Sequence, residues 1–149
     1  MDIEIRKVRI EDASDLSKLF TEFIGTESNI EKMQNQIECI TMQPNYYVSV
    51  ACKDEEVIGT AMGIVCPDLV GECQPYLLVE NVVVSSTYQG KGIGKILMAA
   101  LEEFAKKMKC SYIILASSEN REQAHRFYES IGYLGNKRGY VKRMEAIHL

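Results

Sequence analysis

The chain has 149 residues, 46% of them hydrophobic and 26% charged, with a formal net charge of −4. That length is one domain's worth, enough to bury well over half of the unfolded chain's surface, and residues 1–149 read as a single globular domain. The charge argues against nonspecific nucleic-acid binding by the domain as a whole. No apolar run reaches membrane-spanning length, since even Tyr76–Val84 is interrupted by Glu80 and Asn81.

The five cysteines, at 39, 52, 66, 73 and 110, are odd in number and contain no Cys-x-x-Cys pair. They form neither a disulfide framework nor a zinc-site spacing, so no metal is expected; reduced thiols packed as small apolar groups fit a reducing compartment. Met1-Asp2-Ile3-Glu4-Ile5-Arg6 alternates like a strand and lacks the basic-then-apolar profile of a signal peptide. The expectation is a cytosolic (cytoplasmic), soluble protein.

In chain order, residues 3–8 alternate and predict a first strand. From Glu11 the spacing is helical, with Leu16, Leu19, Phe20, Phe23 and Ile24 on one face, and Gly25 ends the helix. Ser28 and Glu31 have capping-box spacing, and Ile30, Met33, Ile37 and Ile40 form a second amphipathic stripe that ends at Pro44-Asn45. Two β-rich runs, 46–52 and 57–65, flank the polar Lys53-Asp54-Glu55-Glu56 and predict a hairpin. Residues 66–75 are a loop by composition. Tyr76–Val84 is apolar on both faces, as a central strand is. Ile93, Ile96, Leu97, Ala100, Leu101, Phe104 and Met108 mark a long helix with lysines near its end. A short strand at 112–116, a helix at 121–131 closed by Gly132, and a last strand at 139–146 complete the order β-α-α-β-β-β-α-β-α-β. An antiparallel meander passing into strand–helix–strand units implies an α/β (α+β) mixed sheet with helices on both faces.

The segment joining the central strand to the long helix is Gln89-Gly90-Lys91-Gly92-Ile93-Gly94-Lys95. Its glycines permit backbone conformations that side chains forbid, the helix start presents unpaired N–H groups, and Lys91 and Lys95 add charge. Together these suit a polyphosphate anion. Tight helix–strand packing is the other use such glycines have. A Walker loop needs four residues between its glycines, and only three separate Gly90 from Gly94; a Rossmann fingerprint needs glycine where Lys95 stands. Both fail.

What fits is Gln-x-x-Gly-x-Gly, read as Gln89, Gly92 and Gly94, preceded by Glu80-Asn81-Val82-Val83-Val84 and followed by Asn120, Ala124, Phe127-Tyr128 and Gly132-Tyr133. In these motifs, from residue 76 to 133, and in its element order the chain resembles the GNAT superfamily of acetyl-CoA-dependent N-acetyltransferases. The resemblance implies that family's acyl-CoA N-acyltransferase fold: a mostly antiparallel central sheet splayed at a cofactor cleft. It implies coenzyme A as cosubstrate, its diphosphate on the backbone of Gln89, Gly90, Lys91, Gly92, Ile93 and Gly94 and on Lys95. It also implies a pantetheine arm laid along Val82, Val83 and Val84 like an added strand. Asn120 matches a position near that arm; Arg121 and Arg126 suit an outlying phosphate or a solvated helix face. Family strands at this point commonly carry a bulge, which this sequence does not reveal.

Acetyl transfer requires a neutral amine, hence a base, and a protonated leaving sulfur, hence an acid. Glu80, an acid within an apolar strand beside the cofactor segment, is the base candidate; it could equally orient substrate or face solvent. Tyr128 matches the family's acid, with aromatic packing against the cofactor as the alternative. His125 and His148 read as bystanders. Residues 11–38 carry seven acids against two lysines, which fits a cationic amine acceptor (an amino sugar, a polyamine, or a peptide amine) and fits a solvated helix face as well. A noncatalytic acyl-CoA-binding sensor or subunit is the alternative from another class; it would need the turn but neither Glu80 nor Tyr128. A homodimer is left open.

Overall fold

The computed structural model describes residues 2–145. Its elements run β1 (Glu4–Lys7), a 3-10 turn (Ile10–Asp12), α1 (Ala13–Ile24), α2 (Ile30–Thr41), β2 (Tyr46–Lys53), β3 (Glu56–Cys66) and β4 (Tyr76–Val84). A second 3-10 turn (Ser86–Tyr88), α3 (Ile93–Lys107), β5 (Ile113–Leu115) and α4 (Glu122–Ser130) follow. The sheet order is β1-β2-β3-β4-β5, antiparallel throughout except for the β4–β5 pair. The predicted mixed sheet is therefore present.

Each face of the sheet is covered by different helices. Leu16 and Leu19 of α1 and Ile37 of α2 pack with Val50, Val57 and Val83 on one side. On the other, Leu97, Met98 and Leu101 of α3 pack with Ala51, Ala61, Leu77 and Val79. These three α3 side chains are fully buried, and burial of each contributes about 1.5–3 kcal/mol. Small residues on β3 let α3 lie close: a Cβ on Gly59 would stand 3.1 Å from Leu97 Cδ1, and one on Gly63 3.2 Å from Leu101 Cδ2.

Several local expectations change in detail. Asn29, not Ser28, caps α2, its side chain accepting the Lys32 N–H at 3.0 Å. Phe23 and Ile24 are exposed because α1 runs past the edge of the core. The hairpin turns on two residues, Asp54 and Glu55, both at positive φ (50° and 66°), as a type I′ turn requires. The last predicted strand is absent from residues 139–145. Its apolar residues Tyr140, Val141 and Met144 stay in solvent, and without burial of one face strand-forming residues do not hold a strand. Ala146 and His148 lie outside the described residues.

One irregularity shapes the site. Thr60 pairs with Val83 and Met62 with Glu80, so two steps along β3 oppose three along β4. The extra residue is a β-bulge, and Asn81 sits there at φ 57°. Alternation is reset across it. Leu77 and Val79 face the α3 core before the bulge, whereas Val82 and Val84 do so after it and Val83 turns to the α1–α2 side.

Candidate active site

Pairing between β4 and β5 covers only Leu77–Ile113, Leu78–Ile114 and Val79–Leu115. Among the described residues, β4 from Glu80 onward is bonded to β3 alone, and its other edge is open. An open edge presents N–H and C=O groups to any extended ligand. Val82, Val83 and Val84 line it. The Val84 carbonyl already accepts the Gln89 side-chain amide at 3.2 Å, which folds the following turn back onto the strand's end. That gives the Gln89 side chain a structural partner and leaves its backbone for a ligand.

The edge runs into the turn and the start of α3. Gly90 and Gly92 have φ of 75° and 81°, with no atom within 4 Å of the place where a Cβ would stand. These two glycines are open to the solvent side. Gly94 is different: a Cβ there would meet Phe127 Cζ at 3.1 Å, so its smallness admits α4. Of the two uses the sequence left open, Gly94 serves packing, and Gly90 and Gly92 leave the space that an anion would need. Ile93 is buried and anchors the turn in the core, which leaves only its backbone N–H free. Lys91, with Nζ 5.4 Å from the Tyr88 ring centroid, and Lys95 are exposed.

The loop ahead of the turn is tied to α1. Ser86 N–H donates to Glu22 Oε1 at 2.7 Å, and hydrogen bonding from the Ser86 side chain, then from this N–H, holds the carboxyl below its usual range. The guanidinium of Arg121 lies 4.3 Å over the Phe23 ring, so Arg121 is engaged with α1 and Arg126 is the more available cation. Asn120, exposed, lines a hollow with Arg121, Gln123 and Arg126 at the start of α4. His125 also has a structural partner, its Nε2 lying 2.8 Å from the Ser118 carbonyl oxygen.

Glu80 and Tyr128 lie on opposite sides of the sheet. Glu80 follows Val79 and so points to the side that carries α1 and α2, where it is exposed. Tyr128 packs against the α3 core. Its ring meets Phe127 edge-on at 5.1 Å and Tyr133 at 5.9 Å. Tyr133 in turn donates its hydroxyl to Glu102 on α3 at 2.9 Å, and its N–H to the Tyr128 carbonyl at 3.0 Å. Burial pushes the Tyr128 phenol up, against a smaller opposing effect of Arg121, so the group holds its proton at neutral pH.

Three contributors were not legible in the sequence: Glu22, the Tyr133–Glu102 pair, and Ser117. The Ser117 Oγ is buried and has no hydrogen-bond partner among the described residues. Of the seven acids at 11–38, Asp12 pairs with Arg6 and accepts the Arg9 N–H, Asp15 accepts the Val57 N–H and Glu22 accepts that of Ser86. Part of that acidity thus serves the fold. Among the described residues no cluster of three or more His, Cys, Asp or Glu could hold a metal, and no helix is long and apolar enough to cross a membrane.

A sequence profile of the Acetyltransferase (GNAT) family matches residues 13–133. The chain belongs to the GNAT family of acetyltransferases. The expected family is borne out, and with it the expected class of enzyme, an acyltransferase. An aminoalkylphosphonate N-acetyltransferase from Salmonella typhimurium is 25% identical over 135 residues, covering 87% of this chain and 84% of the relative. A Drosophila melanogaster protein named probable glucosamine 6-phosphate N-acetyltransferase is 29% identical over 92 residues, which are 60% of this chain but only 41% of the fly protein. The solved glucosamine-6-phosphate N-acetyltransferase of Arabidopsis thaliana shares the fold at TM-score 0.87, with 23% identity over 97% of this chain and 100% of that one.

Proposed function

We propose that this chain transfers an acetyl group from acetyl-CoA to a small primary amine by direct attack within a ternary complex. The observation that carries this reading is the open edge of β4 running straight into a glycine turn and a helix N-terminus. An extended arm ending in a diphosphate matches that surface along its length. Acetyl-CoA, when bound, supplies the activated acyl group.

The chain's own residues would do the rest. Backbone N–H groups at 90–95, with Lys91 and Lys95, hold the diphosphate, and Val82, Val83 and Val84 align the arm. Glu80 takes a proton from the acceptor's ammonium, directly or through water. The amine nitrogen then bonds to the carbonyl carbon, the C–S bond breaks, and the sulfur takes a proton from Tyr128; the second proton on the new amide nitrogen passes through water to the tyrosinate, which restores Tyr128, and Glu80 returns its proton to solvent. Base and acid on opposite sides of the sheet suit a reaction in which the amine arrives from one side and the thiol departs toward the other. The exposed acids of the α1–α2 segment, such as Glu27 and Glu31, lie on elements that cover the side Glu80 faces, and a cationic amine would suit them. The relatives' names point to small amines carrying phosphate or phosphonate.

The test is thiol release by the purified chain with acetyl-CoA against a panel containing an amino-sugar phosphate, an aminoalkylphosphonate, a polyamine and a lysine peptide. Turnover with any of them is expected. Tight coenzyme A binding without turnover would instead support the noncatalytic sensor.

A further inference from the structure

Ser117 stands where β4 and β5 part. The parallel register puts Ile113 beside Leu77 and Leu115 beside Val79; continuing that count two residues past the last pair sets Ser117 opposite the bulge at Asn81. Exposure alternates from 113 to 117, with Ile113, Leu115 and Ser117 half-buried and Ile114 and Ala116 exposed. Ser117 therefore shares the side of Leu115, which packs on the α3 core together with Tyr128. Removing a hydroxyl from water without giving it a partner is unfavourable, and buried polar groups are nearly always satisfied. This one is not.

We propose that the Ser117 hydroxyl donates a hydrogen bond to the carbonyl oxygen of the bound acetyl thioester. The inference rests on the acetyl-transfer reading above. An arm anchored at the turn and laid back along Val84 and Val82 brings its acyl end to the bulge, across from Ser117. As the amine nitrogen bonds to the carbonyl carbon, negative charge builds on that oxygen, and a donor already in place strengthens its bond there. Serine keeps its proton throughout and is not consumed.

The experiment compares wild type, Ser117→Ala and Ser117→Cys. Coenzyme A itself has no acyl carbonyl, so its affinity by calorimetry should change less than ~2-fold, while the single-turnover rate with acetyl-CoA should fall ~10-fold in the alanine variant, the scale of one hydrogen bond. Infrared spectra of bound acetyl-CoA carrying a 13C-labelled carbonyl should show a lower stretching frequency in wild type than in Ser117→Ala, with Ser117→Cys between them. The ligand-free alanine variant should melt no lower than wild type, since only an unsatisfied group is lost. An unchanged carbonyl frequency would overturn the proposal, as would a loss of coenzyme A affinity equal to the loss of rate. Binding without turnover in the wild type would overturn the catalytic reading alone, because the carbonyl shift still reads Ser117. Failure of the wild type to bind acetyl-CoA would overturn both.

Discussion

Tyr128 keeps its ring in place through Phe127 and Tyr133, whatever its hydroxyl does. Tyr128→Phe therefore separates shape from chemistry: coenzyme A affinity should stay within about 1 kcal/mol, the scale of one net hydrogen bond, while the chemical step slows. Thioesters with more acidic thiols should show a smaller slowing, because such leaving groups need less help. Wild-type rates in single-turnover assays would make the tyrosine a wall of the cleft. For Glu80, exchange to glutamine should lower turnover roughly 10²–10⁴-fold and erase the acidic limb of the pH–rate profile. If the limb persists and only the acceptor KM rises, Glu80 orients substrate. Glu80 and Tyr128, the candidates for base and acid, were legible in the sequence because an acid stands out in an apolar strand and Phe127-Tyr128 matches the family motif. Ser117 was not, since burial and the lack of a partner are properties of the folded chain. Gly94 looked like its two neighbours in the turn and was separated from them only by the position of Phe127.

At the scale of elements, α3 is joined to β4 by a turn whose backbone only glycine adopts without strain. Gly92 caps α3 at φ 81° with open space beside it, so Gly92→Val both strains the helix start and places a side chain where the diphosphate would approach. Coenzyme A affinity by calorimetry should drop at least ~10-fold, about 1.4 kcal/mol. Retained affinity in a folded variant would remove the turn from the site. Periodicity and punctuation gave each of these elements to within a few residues, and the strand order follows from the meander. Two features escaped that logic. A bulge adds a residue without altering the apolar run 82–84, so it leaves no mark in composition. The tail at 139–145 has strand-forming residues, yet they stay in solvent, and propensity without a face to bury does not make a strand.

Across the whole molecule, the first strand is locked to the first helix by Arg6 and Asp12, joined by two hydrogen bonds of 2.8 Å, with Arg9 N–H adding a third at 2.7 Å. Burial alone would raise the Asp12 pKa; the Arg6 and Arg9 hydrogen bonds and charges outweigh it and hold the carboxyl below its ordinary 3.8. A depressed carboxylate stabilises the fold above its unfolded value and loses that contribution as pH falls through the folded one. Asp12→Asn should therefore cost up to roughly 3–5 kcal/mol near neutral pH, as for other pairs broken on one side. The gap to wild type in urea unfolding should narrow below pH 3.8. A gap that is the same at pH 3 and pH 7 would mean that the effect is one of shape rather than charge.

The unpaired stretch of β4 also bears on how the protein keeps in solution. A row of free backbone groups at a sheet margin will accept any extended chain, including a neighbouring molecule's tail, and is a known route to aggregation. A cosubstrate that lies along that margin as a strand covers it, and by binding only the folded form it raises the melting point as well. Coenzyme A would then act as a guard against clumping in addition to its part in the reaction. Light scattering of the heated protein should rise later, and to a lower plateau, as coenzyme A is added, whereas adenosine 3′,5′-bisphosphate, which lacks the arm, should protect far less.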